Sequence, residues 1–590
     1  MTNSVKVIIN GITVAAQPDD TVLLAAKKAG VKIPSLCYLK DVNEPAACRV
    51  CVVEADVNGV PMRNLPAACV LQVQEGMNIR TNTARVRKAV RKNLELILAN
   101  HNRECLTCVR NGTCELNALC EEFGVAEVPY DGAVRKPVLD DLSYSIVRDS
   151  SKCVLCGRCI STCTNVQGIG VLDYTGRGFH TKVAPAFEFS MRDVDCIYCG
   201  QCIVACPVAA LREKSYIEQV WEAIDDPEKF VVVQTAPAVR AALGEEFGLP
   251  VGTAVTGKMV AALRRIGFDR VFDTNFSADL TIMEEGTELL HRIKEGGVLP
   301  MITSCSPGWV RYCEMNYPDF LDNLSTCKSP QQMFGVVVKS YYAEKFNIDP
   351  RKMVCVSIMP CTSKKTEANR PEMEVDGIRD VDFSLTTREL GKMIKQAGID
   401  FLTLHDEEPD SILGKYTGAG VIFGATGGVM EAALRTVADI LMGKDLREIE
   451  YKECRGLAGI KEASVTLPVE GKDIEIKIAI AHGTANAAKL LDSIRAGEKE
   501  YHFIEIMACP GGCVHGGGQP HVSSQKRLEL NPKVKRAEAL YTEDEKRVLR
   551  KSHQNKEVQQ LYSDYLKEPC GKLSHKLLHT HYKKREVYQA

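Results

Sequence analysis

The sequence lacks an excess of either charge and any long apolar run. Its 74 lysines and arginines are balanced by 76 aspartates and glutamates, which leaves a formal net charge of -2. This balance provides no general attraction to nucleic acid or to an anionic membrane, so we expect neither as a partner. No run of about 18 apolar residues occurs, and we therefore expect no segment to span a membrane.

Two further signals are missing. The first residues, MTNSVKVIING, contain neither a basic segment followed by an apolar core nor a twin-arginine motif, so we expect a cytoplasmic location. No G-x-G-x-x-G follows a strand and opens a helix. The chain is therefore not expected to bind a nicotinamide cofactor itself.

Cysteine, in contrast, is abundant. In a reducing compartment, 25 cysteines indicate metal thiolates or redox chemistry rather than a disulfide framework. Most of them lie in closely spaced groups within the first 206 residues, and the next 98 residues contain none. This distribution predicts that the first 206 residues bind several metal centres and that the residues after them form a unit of another type.

The chain is long enough for about three to five domains. Between residues 216 and 520 the strand-like runs FVVVQTA, VLPMITS, MVCVSIMPC and GVIFGA alternate with helical segments, which predicts an α/β fold. The predicted regions are a β-rich unit over 1–80, a histidine- and cysteine-bearing segment over 81–125, a cysteine repeat over 140–215, the α/β region over 216–520 and a helical tail over 521–590.

Four cysteines of the first unit have the spacing C-x10-C-x2-C-x17-C. One loop and a more distant strand would supply four thiolates, which suits a [2Fe–2S] cluster, whereas four unrelated buried cysteines are the alternative. The unit resembles a plant-type ferredoxin domain of β-grasp fold, with the longer spacing found at the front of hydrogenases and of the large iron–sulfur subunit of NADH dehydrogenase. The predicted ligands are Cys37, Cys48, Cys51 and Cys69.

The next motif combines one imidazole with three thiolates, His101-x3-Cys105-x2-Cys108-x5-Cys114. Zinc also accepts three cysteines and a histidine. A [4Fe–4S] cluster is favoured here because the motif lies between other iron–sulfur motifs.

A repeated cysteine run follows, of the type that binds two [4Fe–4S] clusters in bacterial ferredoxins. In such runs the fourth cysteine binds the cluster of the other run. One predicted ligand set is therefore Cys153, Cys156, Cys159 and Cys206, and the other is Cys196, Cys199, Cys202 and Cys163. Together with the two preceding motifs they predict four clusters in series.

Three later motifs provide an end point for these clusters: TSCSPGW at 303–309, MPCTSKK at 359–365 and EIMACPGGCVHGGGQP at 505–520. Each cysteine follows a strand-like run and enters a turn rich in glycine or proline, where backbone can approach a cofactor closely. Four thiolates from three distant places predict a buried metal site at Cys305, Cys361, Cys509 and Cys513.

With these three motifs the sequence resembles the [FeFe] (iron-only) hydrogenases over residues 1–520, and the tail resembles their small subunit. The resemblance implies the H-cluster, a [4Fe–4S] cubane on those four cysteines that Cys513 bridges to a di-iron subsite with CO, cyanide and azadithiolate ligands. Lys364 would pair with a cyanide, unless it is a solvated surface lysine. The implied pocket positions are Pro237, Gln331, Met359, Phe423 and Met507.

One position departs from the family. The first motif is often TSCCP, in which one cysteine binds the cubane and the other passes protons; here the pair is Cys305–Ser306. Because a cubane needs soft ligands, we assign Cys305 to the metal and Ser306 to the proton-donor place. Residue-by-residue alignment allows the reverse assignment.

The resemblance also implies a proton path through Glu285, Ser325, Glu288 and Arg292 toward Cys305. Glu285 and Glu288 are three residues apart and would share one helix face. A solvated helix face is the alternative for these carboxylates.

The expected function is reversible oxidation of H2, with electrons exchanged with ferredoxin or with NAD(P)-binding flavin iron–sulfur subunits in a hetero-oligomer; a formate-linked complex is an alternative. An electron-transfer subunit without chemistry of its own is a second hypothesis, but the three later motifs argue against it. A sensory or assembly protein of hydrogenase ancestry is a third. It is disfavoured because no appended sensor domain is seen and no catalytic motif has lost a piece.

Overall fold

The structure is a computed structural model, and it describes residues 4–130, 132–443, 445–446, 450–469 and 472–587. The outermost residues of the first and last predicted regions, 1–3 and 588–590, lie outside the described residues. Among the helices described, none combines the length and the apolar character needed to cross a bilayer.

The N-terminal unit is a mixed sheet with the strand order β2-β1-β5-β3-β4, packed on one helix. Asn10 and Gly11, both at positive φ, form the turn between the first two strands, as two-residue hairpins favour. This arrangement confirms the predicted β-grasp fold. Its elements are β1 (Val5–Ile9), β2 (Ile12–Ala16), α1 (Val22–Lys28), β3 (Glu54–Val57), β4 (Val60–Pro61) and β5 (Met77–Arg80).

The second and third regions are mostly loops around short elements. Two helices, α2 (Ala84–Leu98) and α3 (Glu115–Glu122), flank the motif that begins at His101. The repeat region has a three-stranded antiparallel sheet and a separate hairpin. Its elements are β6 (Leu139–Asp140), β7 (Ile146–Asp149), α4 (Arg158–Ser161), β8 (Asp173–Thr175), β9 (Lys182–Ala184), α5 (Gln201–Ala205) and β10 (Leu211–Glu213).

The α/β region contains two four-stranded sheets flanked by helices, as predicted. Its helices are α6 (Ile217–Asp225), α7 (Pro237–Arg240), α8 (Thr256–Ile266), α9 (Thr274–Glu295), α10 (Pro307–Asn316), α11 (Pro330–Val337), α12 (Ala343–Phe346), α13 (Ser363–Glu367), α14 (Thr387–Gln396), α15 (Gly418–Ile422), α16 (Gly428–Met442) and α17 (Thr484–Arg495). Its strands are β11 (Phe230–Thr235), β12 (Arg270–Asp273), β13 (Met301–Ile302), β14 (Met353–Met359), β15 (Glu374–Val375), β16 (Ile378–Arg379), β17 (Phe383–Thr386), β18 (Ile460–Val469), β19 (Lys472–His482) and β20 (Phe503–Met507).

The topology of these sheets brings the three later cysteine motifs together. One sheet has the all-parallel order β12-β11-β14-β17, and the other has the order β13-β20-β19-β18, parallel except for its last pair. Strand β14 is buried along its whole length, as expected for a parallel strand covered on both faces. The cysteine turns follow the carboxyl ends of β13, β14 and β20, the edge at which open α/β sheets bind ligands.

Two expectations for this region need correction. The run GVIFGA is not a strand, because Gly418–Ile422 form helix α15, which packs against α9, α16 and α19 (Pro532–Lys546). A short apolar run bounded by glycines fits a buried strand and a buried helix equally well, so periodicity could not separate them. The run VLPMITS contributes only the two-residue strand β13.

The C-terminal region is integrated into the rest of the protein. It comprises α18 (Ser524–Glu529), α19, α20 (Lys556–Leu561) and α21 (Lys572–Leu578). Asp544 of α19 forms an ion pair with Arg435 of α16, and both side chains are fully buried. At its start, Leu528 packs into the hydrophobic core of the N-terminal sheet. The region therefore ties the front of the chain to the α/β unit.

We predict that Asp544→Ala lowers the thermal unfolding midpoint, because Arg435 would lose one of its buried carboxylate partners and keep Glu431, which makes the cost larger than that of breaking an exposed pair. Asp319→Ala is the matched control, since its ion pair with Arg495 is about half exposed (side chains 51% and 46%) and should contribute at most about 1 kcal/mol. Calorimetric scans of both variants test this. Equal shifts would contradict a structural role for the buried pair.

Candidate metal centres and active site

The four cysteines of the N-terminal unit lie close together. The Cys37 thiol is hydrogen-bonded to Cys48, which raises the pKa of Cys37 and lowers that of Cys48. The thiols of Cys51 and Cys69 are hydrogen-bonded in the same way, which raises the pKa of Cys69 and lowers that of Cys51. Four adjacent sulfur atoms on a loop shielded from water form a donor set that fits a [2Fe–2S] cluster.

His101, Cys105 and Cys114 line one cavity, and Cys108 lies one turn from Cys105. Burial lowers the pKa of His101 to about 4, so its imidazole is neutral at physiological pH, the form that binds metals. Its buried Nδ1 makes no hydrogen bond to any described residue. Cys120 of α3 lines the same cavity. The sequence did not indicate that Cys120 lines this cavity, because Cys120 is an isolated cysteine outside the spaced motif.

The repeat folds so that each run contributes to the site of the other. Four cysteines line one enclosed cavity: Cys153, Cys156, Cys159 and Cys206. Burial raises the pKa of the Cys199 thiol, and repulsion from Cys196 and Cys163 raises it further, which places these sulfur atoms near one another. Repulsion from Cys199, Cys196 and Cys163 raises the pKa of the buried Cys202 in the same way. These are the two ligand sets that the spacing predicts.

The two outer motifs both reach the same inner run. The Asn43 amide donates to the carbonyl of Cys37 at 2.7 Å and to that of Cys156 at 3.0 Å. In the histidine motif, the backbone N–H of Asn102 donates to the carbonyl of Ser151 at 3.0 Å, two residues before Cys153. The candidate clusters therefore form a fork with two outer branches rather than the single series expected from the sequence.

The inner run that contains Cys199 adjoins the three later motifs. The Cys509 thiol lies 4.0 Å from the carbonyl of Cys199. Backbone packs on backbone here: a Cβ added to Gly517 would lie 2.3 Å from the same carbonyl oxygen, and one added to Gly516 would lie 2.0 Å from the carbonyl oxygen of Pro360. Only glycine permits these approaches, which explains the GGG sequence of the third motif.

The three turns enclose a mainly apolar cavity that contains all four cysteines of these motifs. Three of the buried thiols form a mutual group, because Cys361 raises the pKa of both Cys509 and Cys513 beyond the increase caused by burial. Burial likewise raises the pKa of Cys305, and repulsion from Glu285 and, to a smaller extent, from Cys513 raises it further. Soft donors converging in an apolar cavity fit an iron–sulfur centre.

The five pocket residues predicted by resemblance all line this cavity: Pro237, Gln331, Met359, Phe423 and Met507. Lys364 lines it as well and is buried rather than solvated. Its ammonium donates to Glu367 at 2.9 Å, to Ser329 at 2.7 Å and to the Cys305 carbonyl at 3.2 Å. The sequence did not indicate Glu367 and Ser329, since neither residue lies in a recognisable motif.

Cys305 and Ser306 differ in their surroundings although both line the cavity. The Ser306 hydroxyl accepts a hydrogen bond from the backbone N–H of Ala508 at 3.2 Å, and so lies against the turn that carries Cys509. The Cys305 thiol is influenced most by the charge of Glu285, and also by Lys364 and Cys513. Ser306 therefore contacts the Cys509 turn directly, whereas Cys305 is influenced both by the acidic helix and by a cysteine of the cavity.

Helix α9 carries three of the four predicted proton-path residues from the cavity outward. Burial, and then repulsion from Glu288, raises the pKa of Glu285 to about 8, so this carboxyl holds a proton at neutral pH. Ser325 donates to Glu288 at 2.8 Å, and Arg292 donates to the other oxygen of Glu288 at 2.7 Å. Hydrogen bonds thus link Ser325, Glu288 and Arg292, whereas the buried carboxyl oxygens of Glu285, one turn earlier on α9, have no hydrogen-bond partner among the described residues.

Comparisons with known proteins agree with this arrangement. Five family models match the chain: 2Fe-2S iron-sulfur cluster binding domain (2–84), NADH-ubiquinone oxidoreductase-G iron-sulfur binding region (91–129), 4Fe-4S dicluster domain (152–210), iron only hydrogenase large subunit, C-terminal domain (229–517), and iron hydrogenase small subunit (531–585).

Curated relatives match along almost the whole chain. The NADP-reducing hydrogenase subunit HndD of Solidesulfovibrio fructosivorans is 49% identical, over 98% of this chain and 99% of its own length. Iron hydrogenase 1 of Clostridium pasteurianum is 44% identical, over 98% and 100%. Among solved structures, the apo [FeFe]-hydrogenase HydA1 from Chlamydomonas reinhardtii is 46% identical with a TM-score of 0.57, covering 63% of this chain and all of that one.

We predict that Gly516→Ala lowers the iron bound per chain after anaerobic reconstitution by the share of one [4Fe–4S] cluster, because the new methyl group would overlap the Pro360 carbonyl and separate the second and third motifs. Gly132→Ala is the control, since a Cβ there meets no atom within 4 Å. Iron content and the visible absorption of the clusters measure the outcome. Full iron content in Gly516→Ala would show that the turns do not need this approach.

Proposed function

The chain belongs to the iron-only ([FeFe]) hydrogenase family and is an oxidoreductase that activates H2, and from this premise we propose how its own residues serve the reaction. It carries [2Fe–2S] and [4Fe–4S] clusters that relay electrons, and the H-cluster of the family. When bound, the H-cluster supplies the iron site at which H2 is split into protons and electrons or formed from them.

One observation carries the assignment of the active site. The apolar cavity that holds the cysteines of the three motifs touches the inner cluster run at Cys199 on one side and the acidic face of α9 at Glu285 on the other. Electrons and protons must both reach the place where H2 is formed, and they must arrive by separate routes. This cavity is the place where the two routes meet.

We assign the ligands of the cubane from the same contacts. Cys361, Cys509 and Cys513 supply three thiolates, and the Ser306 hydroxyl, which lies against the Cys509 turn, occupies the fourth place. Cys305 then passes protons between the cavity and Glu285. The contacts thus favour the alternative that alignment left open over the assignment made from ligand softness.

The accessory ligand sets are proposed as the spacing predicts them, with one [2Fe–2S] and three [4Fe–4S] clusters. The close approach of the sulfur atoms within each set supports this assignment. The two outer clusters feed the run around Cys156, and the run around Cys199 delivers electrons to the cavity.

Lys364 binds an anionic ligand in this proposal. Its ammonium supplies a positive charge at the cavity wall that can hold an anionic cyanide, and Glu367 and Ser329 fix its position. A buried ammonium without partners would be costly, and Glu367 supplies a carboxylate partner for it.

We propose that NAD(P)-binding flavin iron–sulfur subunits, or ferredoxin, exchange electrons with the outer clusters in a hetero-oligomer. The near full-length similarity to a subunit of an NADP-reducing hydrogenase supports this proposal. We propose a cytoplasmic location, since 25 unpaired cysteines suit a reducing compartment. Affinity purification from the native host, followed by identification of bound subunits, tests the partners.

The matured protein is expected to evolve H2 from reduced methyl viologen and to show carbonyl and cyanide bands in the infrared. Both follow from an H-cluster held in the cavity. The matched control is Cys313→Ala, which removes a buried cysteine that lies outside every proposed ligand set. A matured protein with neither the bands nor the activity would rule out the proposed chemistry and leave an electron carrier.

Cys305→Ala should keep its iron and its infrared bands but lose turnover by about 10²–10⁴-fold, because a positioned proton donor contributes that much. Ser306→Ala should instead weaken the cubane, seen as lost iron and an altered electron paramagnetic resonance signal. The opposite pattern, a cubane lost in Cys305→Ala and kept in Ser306→Ala, would return Cys305 to the metal.

A further inference from the structure

The proposed proton route ends at Arg292, which is poorly suited to pass a proton on. A guanidinium stays protonated in proteins and has no free acceptor site. Arg292 is also fully engaged: it donates to Glu288 and to the backbone carbonyls of Val298, Asp322, Asn323 and Leu324. Arg292 therefore holds Glu288 in place, and another group must connect Glu288 with water.

A buried histidine from the C-terminal region lies beside Glu288. His579 follows helix α21 and pairs as a β-bridge with Cys327, held by hydrogen bonds from Lys328 N–H to the Leu578 carbonyl and from Thr580 N–H to the Thr326 carbonyl, each 2.7 Å. The ligand atoms of Glu288, Cys327 and His579 lie within 4.8 Å of one another. This gap is short enough for one hydroxyl or water to bridge.

The hydrogen bonds of His579 set its proton positions. Its Nε2 lies 3.0 Å from Glu284, and its Nδ1 lies 2.7 Å from the Thr326 hydroxyl. Burial raises the pKa of Glu284, but hydrogen bonds from His579, Tyr562 and the Cys570 N–H outweigh it and leave the pKa below its usual value. An ionised Glu284 only accepts, so Nε2 carries the proton and Nδ1 is the basic nitrogen on the Thr326 side.

The imidazole also has a connection to solvent. His575, one helical turn earlier on α21, is exposed, and its ring centroid lies 4.2 Å from that of His579. A neutral imidazole has one nitrogen that accepts and one that donates, unlike the guanidinium of Arg292, so it can take up a proton on one side and release one on the other. The two rings extend from the buried carboxylates to the protein surface.

We propose that His579, with His575 at the surface, carries protons between Glu288 and solvent. In H2 oxidation a proton leaves the Glu288 carboxyl and an N–H bond forms at Nδ1 of His579; the Nε2–H bond of the resulting imidazolium then breaks, its proton passing to Glu284 and on to water on the His575 side, and a flip of the neutral ring restores the starting tautomer. H2 evolution runs the same transfers in reverse. This assignment rests on the proposed proton route through Glu285 and Glu288.

A bound metal ion is the competing explanation, because Glu284, Cys570 and His579 also lie within 4.8 Å of one another. The contacts favour the proton role. Each of these groups already makes a hydrogen bond within the protein: Glu284 accepts from three donors, and the Cys570 thiol donates to the Glu284 carbonyl at 3.5 Å. Binding a metal would require these bonds to break.

The test compares His579→Gln with His553→Gln in the matured protein. His553 is a half-buried histidine of the same C-terminal region, paired with Asp439 and not part of the proposed route. His579→Gln should lower turnover at least about tenfold in both directions, with unchanged infrared bands, and added imidazole should restore it. His553→Gln should behave as the unmodified protein. Full turnover in His579→Gln, or a loss that imidazole does not repair, would overturn the proposal.

A second readout does not depend on turnover. Because the pKa of Glu285 is about 8, its carboxylic C=O stretch is present at neutral pH and shifts when the proton exchanges in D2O. We expect this exchange to slow in His579→Gln and to recover with imidazole. Glu285→Gln tests the route separately from His579. If Glu285→Gln keeps full turnover, the route through Glu285 and Glu288 is wrong. If Glu285→Gln loses turnover while His579→Gln keeps it, only the role of His579 is refuted. Stoichiometric zinc that His579→Gln loses would establish a metal site instead.

Discussion

The structure depends on a contact between backbones. The third motif can supply its two cysteines only because its turn lies directly against Pro360 and against the Cys199–Gly200 turn, with no side chain between them. The same contact brings the last cluster run against the catalytic cysteines. Gly512, at a φ of +92°, gives the turn a shape that other residues rarely adopt. The positions of the cysteine ligands and the contact that delivers electrons to them thus depend on the same close packing of backbone.

The burial of charge is the second constraint on this fold. Arg240, fully buried, is neutralised by Asp273 of its own region and by Glu543 from the C-terminal region, and Asp544 does the same for Arg435. Such charges are tolerable only when they are paired. Asp273 and Glu431 of the α/β unit already pair with these arginines, and the last 60 or so residues add a further carboxylate to each, so the region that looks like a polar tail in the sequence is part of the interior.

The predictable part of this protein is what short sequence spacing encodes. The cysteine runs, the β-grasp and α/β fold classes and the family follow from local patterns, because ligands of one cluster are mostly neighbours in the chain. Long-range partners left no such signal: Asn43 between two cluster loops, Glu367 beneath Lys364 and His579 beside Glu288 are single polar residues in unremarkable segments. The strand predicted for GVIFGA was wrong for a related reason, since tertiary packing decides that this segment is buried against other helices.

The Asn43 amide has a consequence for how the protein stores charge. Because the N-terminal unit and the His101 segment both connect to the run around Cys156, the clusters form a junction with two inputs and one output. Iron–sulfur clusters accept electrons singly, while each H2 molecule requires a pair. With such a junction, two electrons that arrive one at a time, even from different donors, can both be held on the front clusters before they pass on as a pair. The front of the chain would then store electrons briefly as well as transfer them.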